Sequence, residues 1–364
     1  MQSYIKRRSG KNMRLNNLFY KISHWESWDW RIKYVPILPV WMWNCIRARS
    51  FWFFTPSNSK LVFGGFEGVT KMSIYEDLPP GSYPKTKLIK ASQPFAEVEQ
   101  MVNSHYTYPF VVKPDVGRMG LMFRIIRTLE ALKAYHEFMP VDYIVQEFVD
   151  YPLEVSVFYY RFPGEKSGTI TGFIRKEFPE IKGNGESTIG ELMAASPRVC
   201  FRLDEMRTKH ADKLNVVLAK GEAFRLSNAL NLSRGCSLVS LESEKDERLL
   251  KLFDELSSYS DTLYYGRYDI KCASLEDMKA GKNFSIIEYN GCGAEPHHVY
   301  GNGNTFAKAC LILAHHWNIL FRVARRNYRL GAEYDSFQKG WKTMIRCRRH
   351  FALLRKLDAM FPDF

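Results

Sequence analysis

The sequence G-R-Y-D-I at 266–270, followed by I-I-E-Y-N-G at 286–291, reads as two β-strands with polar residues at every second position. Alternate residues of a strand share a face, so Arg267 and Asp269 point the same way, as do Glu288 and Asn290. The S-L-E-D run at 274–277 is a helix-cap signal between them. Two carboxylates and an amide oxygen converging from neighbouring strands make a hard oxygen site suited to Mg²⁺, and Arg267 would hold a nearby anion. The same spacing also describes the solvent face of an edge hairpin.

Upstream, Phe110 to Val112 form a short buried strand that runs into Lys113 and Pro114. A lysine at a strand end, followed by the turn G-R-M-G from Gly117 to Gly120, can set an ammonium and backbone N–H groups around phosphate. An ordinary hairpin turn has the same composition. Gln146 to Glu154 carries Glu147, Pro152 and Glu154 at the end of another buried strand, a pattern compatible with an adenosine site.

Periodicity organises the rest. Residues 121–126, 144–149, 154–160 and 168–173 read as strands, the last two as an antiparallel pair. Residues 128–138, 245–259 and 305–326 read as helices, and Thr188 to Glu191 is a capping box. Strands predominate in the middle and come as hairpins, so the expected class is α+β with antiparallel sheets, not a doubly wound nucleotide fold.

The 364 residues are 46% apolar and 25% charged, with 23 Gly and 16 Pro, which excludes collagen-like, low-complexity and wholly disordered chains. At roughly 100–200 residues per domain, two or three lobes are expected. Cys45, Cys200, Cys236, Cys272, Cys292, Cys310 and Cys347 include no C-x-x-C pair, a pattern of reduced cytosolic thiols. No secretory leader is visible at the start, so a cytoplasmic location is expected.

The net charge of +13 is concentrated at the ends. Residues 1–50 carry ten Lys and Arg against Glu26 and Asp29, and residues 322–364 carry eleven against four acids. Such ends suit an anionic surface. The segment from Trp25 to Phe54 holds ten aromatics, including six of the eight Trp. Its uncharged run from Tyr34 to Ile46 is too short to span a bilayer and contains Pro36 and Pro39. Two readings follow: an in-plane anchor on the inner face of a membrane, or aromatics packed in the core or a homo-oligomer interface. No nucleic-acid reading motif accompanies the charge.

Taken in order, V-V-K-P-D (111–115), Q-E-F-V (146–149), P-L-E-V-S-V (152–157), K-G-N-G-E-S-T-I-G-E-L (182–192), A-K-G-E-A-F-R-L (219–226) running into N-L-S-R-G-C (231–236), G-R-Y-D-I and I-I-E-Y-N-G resemble the ATP-grasp superfamily of carboxylate–amine ligases. The resemblance is to D-alanine–D-alanine ligases and to the ATP-grasp part of cyanophycin synthetase, over roughly residues 65–315. It implies two α+β lobes gripping ATP, divided as 1–60 (aromatic, basic), 61–107 (a short leading region), 108–150 (small lobe), 151–315 (large lobe with the metal site) and 316–364 (a basic helical tail).

The resemblance also implies roles. Lys113 and Lys71 would hold ATP phosphates, with Lys85 and Lys87 as competitors for the Lys71 role. Gly117 and Gly120 would belong to the phosphate turn, which is poorer in glycine than in most relatives. Gln146, Glu147, Phe148 and Val149 would face adenine, and Glu154 the ribose. Asp269, Glu288 and Asn290 would bind Mg²⁺, with Mn²⁺ as a substitute. Arg267 would steady an acyl-phosphate, and Arg225 with the 231–235 turn would lie near phosphate or substrate. His297 and His298, in A-E-P-H-H, would touch substrate or simply pack, and Cys292 would pack. The implied activity is ATP-driven joining of a carboxylate to an amine. The alternative is a non-catalytic nucleotide-binding module docked on a membrane or protein partner.

Overall fold

Hairpins and capped helices close into two antiparallel sheets. The computed structural model describes residues 25–196, 203–226, 236–300 and 303–361. The smaller sheet has the order β1 (Thr86–Ile89), β4 (Tyr143–Glu147), β2 (Phe110–Pro114), β3 (Arg124–Ile126). The larger has the order β11 (Phe284–Asn290), β10 (Tyr265–Cys272), β5 (Leu153–Tyr160), β6 (Thr169–Glu177), β9 (Ser237–Ser240). A separate pair, β7 (Glu180–Lys182) and β8 (Ala223–Arg225), stands beside them. The α+β class expected from the hairpin pattern is the class observed.

In the smaller sheet, Phe110, Val112, Tyr143 and Val145 bury one face against the helices Phe95–His105 and Leu129–Phe138. The other face carries Lys113, Ile144 and Gln146 towards the larger sheet. This lobe extends beyond the 108–150 segment expected to form it. Strand β1 completes the edge of β4, and Cys347, Phe351 and Leu354 of the C-terminal helix Phe337–Met360 cover the apolar face. A short strand order with one greasy side needs that cover. Strand β3 also starts later than the periodicity suggests, because Met119, Gly120 and Met122 adopt positive φ and turn the chain first.

In the larger sheet, Val155, Val157, Tyr159, Tyr268 and Ile270 pack with Leu249, Leu252, Phe253 and Leu256 of the helix Glu247–Ser258. Asp246 caps that helix by accepting from the Leu249 N–H at 2.8 Å. The opposite face is half apolar and half polar. Phe158 and Tyr265 lie beneath the long helix Phe306–Arg329, whereas Glu154, Ser156, Arg267 and Asp269 are left for other use.

For convenience the helices are α1 (Trp30–Tyr34), α2 (Leu38–Ala48), α3 (Lys71–Glu76), α4 (Phe95–His105), α5 (Leu129–Phe138), α6 (Ile189–Ala195), α7 (Leu203–Lys209), α8 (Glu247–Ser258), α9 (Leu275–Lys279), α10 (Phe306–Arg329) and α11 (Phe337–Met360). The capping box expected at Thr188 and Glu191 opens α6.

The aromatic segment divides. Trp52, Phe53, Phe54 and Phe63 pack with Ile319, Phe321 and Val323 of α10, and Trp25 stacks on Tyr300 at 5.4 Å. Asn58, fully buried, ties this segment to the larger sheet. Its Oδ1 accepts from the backbone N–H groups of Tyr264 and Tyr265 at 2.9 and 3.1 Å, and its Nδ2 donates to the carbonyls of Tyr265 and Gly64 at 2.9 and 3.0 Å. Nearby, Gly65 (φ +84°) lies against Gly291, and a Cβ on either would come within 2.7 Å of the other's Cα. The glycine that ends I-I-E-Y-N-G therefore serves backbone-to-backbone approach.

Truncating Asn58 would strip its hydrogen bonds from three buried backbone groups, the N–H groups of Tyr264 and Tyr265 and the Tyr265 carbonyl, each costing about 1–3 kcal/mol, while the Gly64 carbonyl keeps the Cys292 N–H at 3.2 Å. Asn58→Ala is expected to lower the unfolding free energy by at least about 3 kcal/mol in urea titration. A change below about 1 kcal/mol would mean that these groups find other partners.

Candidate active site

The register of the larger sheet sets one polar row. Asp269 stands opposite Glu288 on β11 and opposite Ser156 on β5, and Glu154 stands opposite Lys271 on β10 and Lys176 on β6. Arg267 and Asp269 do share a face, and the guanidinium holds the carboxylate through two bonds, Nε to Oδ1 at 3.1 Å and Nη2 to Oδ2 at 3.0 Å. Lys176 Nζ lies 3.1 Å from Asp269 Oδ1 and 3.0 Å from Glu154 Oε1. The Ser156 hydroxyl donates to Asp269, and Asn290 Nδ2 donates to Oδ2 at 3.2 Å.

Asp269 is 2% exposed. Burial alone would raise its pKa, but the charges of Arg267 and Lys176 hold it far below the usual carboxylate range. Burial would likewise lower Lys176, yet Asp269 and Glu154 raise it. Glu154 is raised, by burial first and by the charge of Asp269. The Arg267 guanidinium is also anchored through Nη1 to the Glu295 carbonyl at 2.8 Å, which fixes it on the loop after β11.

Strand β11 carries a bulge where its register with β10 shifts between Asp269 and Ile270. The bulged Ile287 carbonyl accepts from the Tyr75 hydroxyl at 2.9 Å and from Lys113 Nζ at 3.2 Å. Lys113 thus reaches from the smaller sheet to the larger. Lys71, at the start of α3, is buried with its Nζ 3.3 Å from the Gly117 carbonyl. Burial lowers both lysines, and each is partly compensated by the Glu288 charge; Lys113, also repelled by Lys71, lies at about 7.

The expected site residues are brought together unevenly. Lys71, Lys113, Glu154, Arg267, Asp269, Glu288 and Asn290 are linked by these bonds and charges where the two sheets meet. Gly117 sits 3.5 Å from Lys71 Nζ, measured from the Cβ position it lacks, and Gly120 lies in the β2–β3 turn. Lys85 and Lys87 are exposed, whereas Lys71 is buried beside the Gly117 carbonyl. Gln146 is buried and its amide donates to Tyr75 and Thr86, both at 2.8 Å, so its side chain positions Tyr75. Glu147, Phe148 and Val149 form the connection between the sheets, where Lys271 Nζ donates to the Val149 carbonyl at 2.9 Å. Arg225 stacks on Phe178 at 3.8 Å, outside the Asp269 row. The 231–235 turn lies outside the described residues.

His297 faces the row, and burial with the charges of Arg267 and Lys176 keeps its ring neutral. His298 turns away, packs on Gly172 and faces His316 at 5.1 Å between ring centroids. It borders an open cleft of about 640 Å³ lined by Ile170, Lys245 and Lys308 among others. Cys292 is a buried packing residue whose thiol is pushed up by burial.

Lys176, Ser156, Tyr75 and Lys271 were not singled out from sequence. Lys176 lies inside the charged run R-K-E at 175–177, and only its pairing opposite Glu154 distinguishes it.

The row offers hard oxygens for a divalent cation. Glu288 makes no hydrogen bond or ion pair among the described residues, and Asn290 Oδ1 is uncommitted because its Nδ2 does the bonding to Asp269. This donor set fits Mg²⁺. Asp269 fits as a third ligand by yielding one of its present partners. Among the described residues no group of three or more His, Cys, Asp or Glu gathers at one point.

No protein-family model matches the chain, and no curated protein matches it. Among solved structures it is similar to a bifunctional glutathione synthetase from Pasteurella multocida, at 13% identity over 70% of this chain and 38% of that one, with a TM-score of 0.41. It is also similar to the VanG D-Ala:D-Ser ligase from Enterococcus faecalis, at 13% identity over 74% and 64% of the two chains and a TM-score of 0.37. A third is the D-alanine–D-alanine ligase from Bacillus anthracis, at 12% identity over 71% and 65% and a TM-score of 0.36. The match spans less than two thirds of the length of each of these three chains.

Removing the Asp269 charge would leave Arg267 and Lys176 buried and under-compensated, at a cost of about 3 kcal/mol. Asp269→Asn is expected to lose that stability in urea titration, whereas Glu288→Gln, which breaks no direct bond, is expected to stay within about 1 kcal/mol of the parent. Equal losses would contradict the assignment of Asp269 as the charge that holds the row.

Proposed function

We propose that this chain is an ATP- and Mg²⁺-dependent ligase of the ATP-grasp type, which activates a carboxylate as an acyl-phosphate for attack by an amine. The observation that carries the reading is the approach of Lys71 on α3 and Lys113 on the smaller sheet to Glu288, in the row it forms with Asp269 and Asn290 on the larger sheet. Cations on one wall and oxygen ligands on the opposite wall suit a polyphosphate chelated between them. The order of motifs along the chain supports the same reading.

A carboxylate cannot expel oxide at neutral pH. Transfer of a phosphoryl group from ATP creates a leaving group, and the amine then displaces phosphate to form the amide. The chain's task is therefore to position reactants and neutralise charge. Lys71 and Lys113 would bind phosphate oxygens, with the turn containing Gly117 and Gly120 beside them. The backbone from Glu147 to Val149 would meet the adenine edge, steadied by Lys271. Glu154 would accept from ribose hydroxyls, its carboxylate held by Lys176. Arg267, braced by Asp269 and by the Glu295 carbonyl, would present a fixed cation to the acyl-phosphate. Glu288, Asn290 and Asp269 would hold Mg²⁺, which supplies neutralising charge at the phosphates when bound.

A ligand that binds only the folded state raises the melting temperature by mass action. ADP or a non-hydrolysable ATP analogue is expected to raise it in the presence of Mg²⁺, and Lys113→Ala to remove the shift. No shift at saturating nucleotide would sink the proposal. Mg²⁺-dependent phosphate release with an acid–amine pair, lost in Glu288→Gln, would establish turnover.

The state of Lys113 adds a pH dependence. With its folded pKa at about 7, the free protein carries it mostly neutral in mild alkali, and phosphate binding must return a proton. ADP affinity, measured by calorimetry, is expected to weaken by up to about tenfold from about pH 7.5 to about 8.5. Lys113→Arg should flatten that slope. A flat profile in the parent would exclude Lys113 from the phosphate site.

A further inference from the structure

Helix α2 is apolar on both sides. Trp41, Cys45 and Ala48 pack onto the core beneath α10, and Asn44 is buried there. Yet Leu38, Met42, Trp43 and Ile46 are exposed on the outer side, Trp43 by 58% and Ile46 by 65%. At ~100° per residue these four, with Pro39, cover an arc of roughly 140°. Ile32 and Val35 extend the same kind of surface before α2, and Val35 is 63% exposed. A core that needed only one side of this helix would have polar residues on the other. Here the first charge after Lys33 is Arg47.

The patch continues past the helix. Phe51, half exposed, meets Phe337 edge-on at 5.6 Å, and Phe337 stacks on the exposed Trp341 at 6.0 Å. One helical turn further lies Ile345. From Trp341 onward the outer side of α11 is cationic. Lys342, Arg346, Arg348, Arg349, Arg355 and Lys356 are exposed, and none makes an ion pair among the described residues. An apolar strip this long is more than the scattered exposure of an ordinary surface. Joined to unpaired cations and rich in Trp, it has the chemistry of the boundary between acyl chains and anionic headgroups.

We propose that the outer side of α2, continued through Phe51 to the start of α11, docks this protein in the plane of an anionic lipid surface. The apolar side chains enter the headgroup boundary, and the α11 cations supply attraction to the lipid charge. No helix among the described residues is long and apolar enough to cross a membrane, so the contact is peripheral. The proposal stands independently of the ligase reading.

The test is co-sedimentation of the full chain with vesicles of phosphatidylcholine alone and of phosphatidylcholine mixed with phosphatidylglycerol. Binding to the mixed vesicles is expected to be at least about tenfold tighter and to weaken with added salt. The double variant Trp43→Glu, Ile46→Glu should lose at least about tenfold in that affinity, because its apolar contribution is gone. Arg348→Glu with Arg349→Glu should reduce the preference for anionic lipid. Both positions are exposed, and an unchanged melting temperature would show the fold intact. Failure of the parent to sediment with either vesicle overturns the proposal, as does equal binding by the double variant. A parent that is dimeric in solution, made monomeric by the double variant, and indifferent to vesicles would assign the face to a second copy instead.

Discussion

A buried carboxylate must be compensated, and the Asp269 carboxylate is compensated from four strands at once. Arg267 comes from its own strand, Lys176 from β6, Ser156 from β5 and Asn290 from β11. A slip of one residue in any of these strands would turn its contribution to the opposite face, where Val155, Tyr268 and Ile270 form the apolar core. The charge arrangement and the sheet register therefore support each other. It also divides labour among the acids. Asp269 holds the row together in addition to its place in the oxygen set, while Glu288 is the carboxylate beside Lys71 and Lys113 whose side chain makes no hydrogen bond or ion pair among the described residues.

The aromatic segment before the cleft is a brace for the same row. Asn58 completes the hydrogen bonding of Tyr264 and Tyr265, just before Arg267. Lys33 donates to the Tyr300 hydroxyl at 3.1 Å, Tyr300 holds the Glu295 carboxylate, and the Glu295 carbonyl accepts from Arg267. The inner side of this segment thus orients the Arg267 guanidinium in the polar row. This accounts for an aromatic content that neither core packing nor surface contact explains alone: one side serves each.

Much of the polar row was legible because a strand's two-residue period is visible in a single sequence. Arg267 with Asp269, and Glu288 with Asn290, could be assigned to shared faces before any pairing was known. The α+β class followed from hairpins, and the caps at Thr188 and Ser274 from their side-chain chemistry. What depends on distant pairing was not legible. Lys176 acquires meaning only opposite Glu154, β1 only beside β4, and α11 only over the apolar side of the smaller sheet. The division of the aromatics was equally hidden. Trp41 and Trp43 are two residues apart with similar neighbours, and only the position of α10 makes one internal and the other external.

The brace also constrains how the chain reaches its native state. The partners of Trp52, Phe53 and Phe63 on α10 lie about 260 residues further along. At about 5–20 residues per second of synthesis, these side chains leave the ribosome roughly 13–50 s before the surface they cover exists. Neither sheet edge nor helix made in the interval can substitute, because Asn58 needs Tyr264 and Tyr265, and Gly65 needs Gly291. The segment from Trp52 to Gly65 is therefore made early and completed late. Throughout that interval a run of Trp and Phe is available to chaperones, or to any apolar surface nearby.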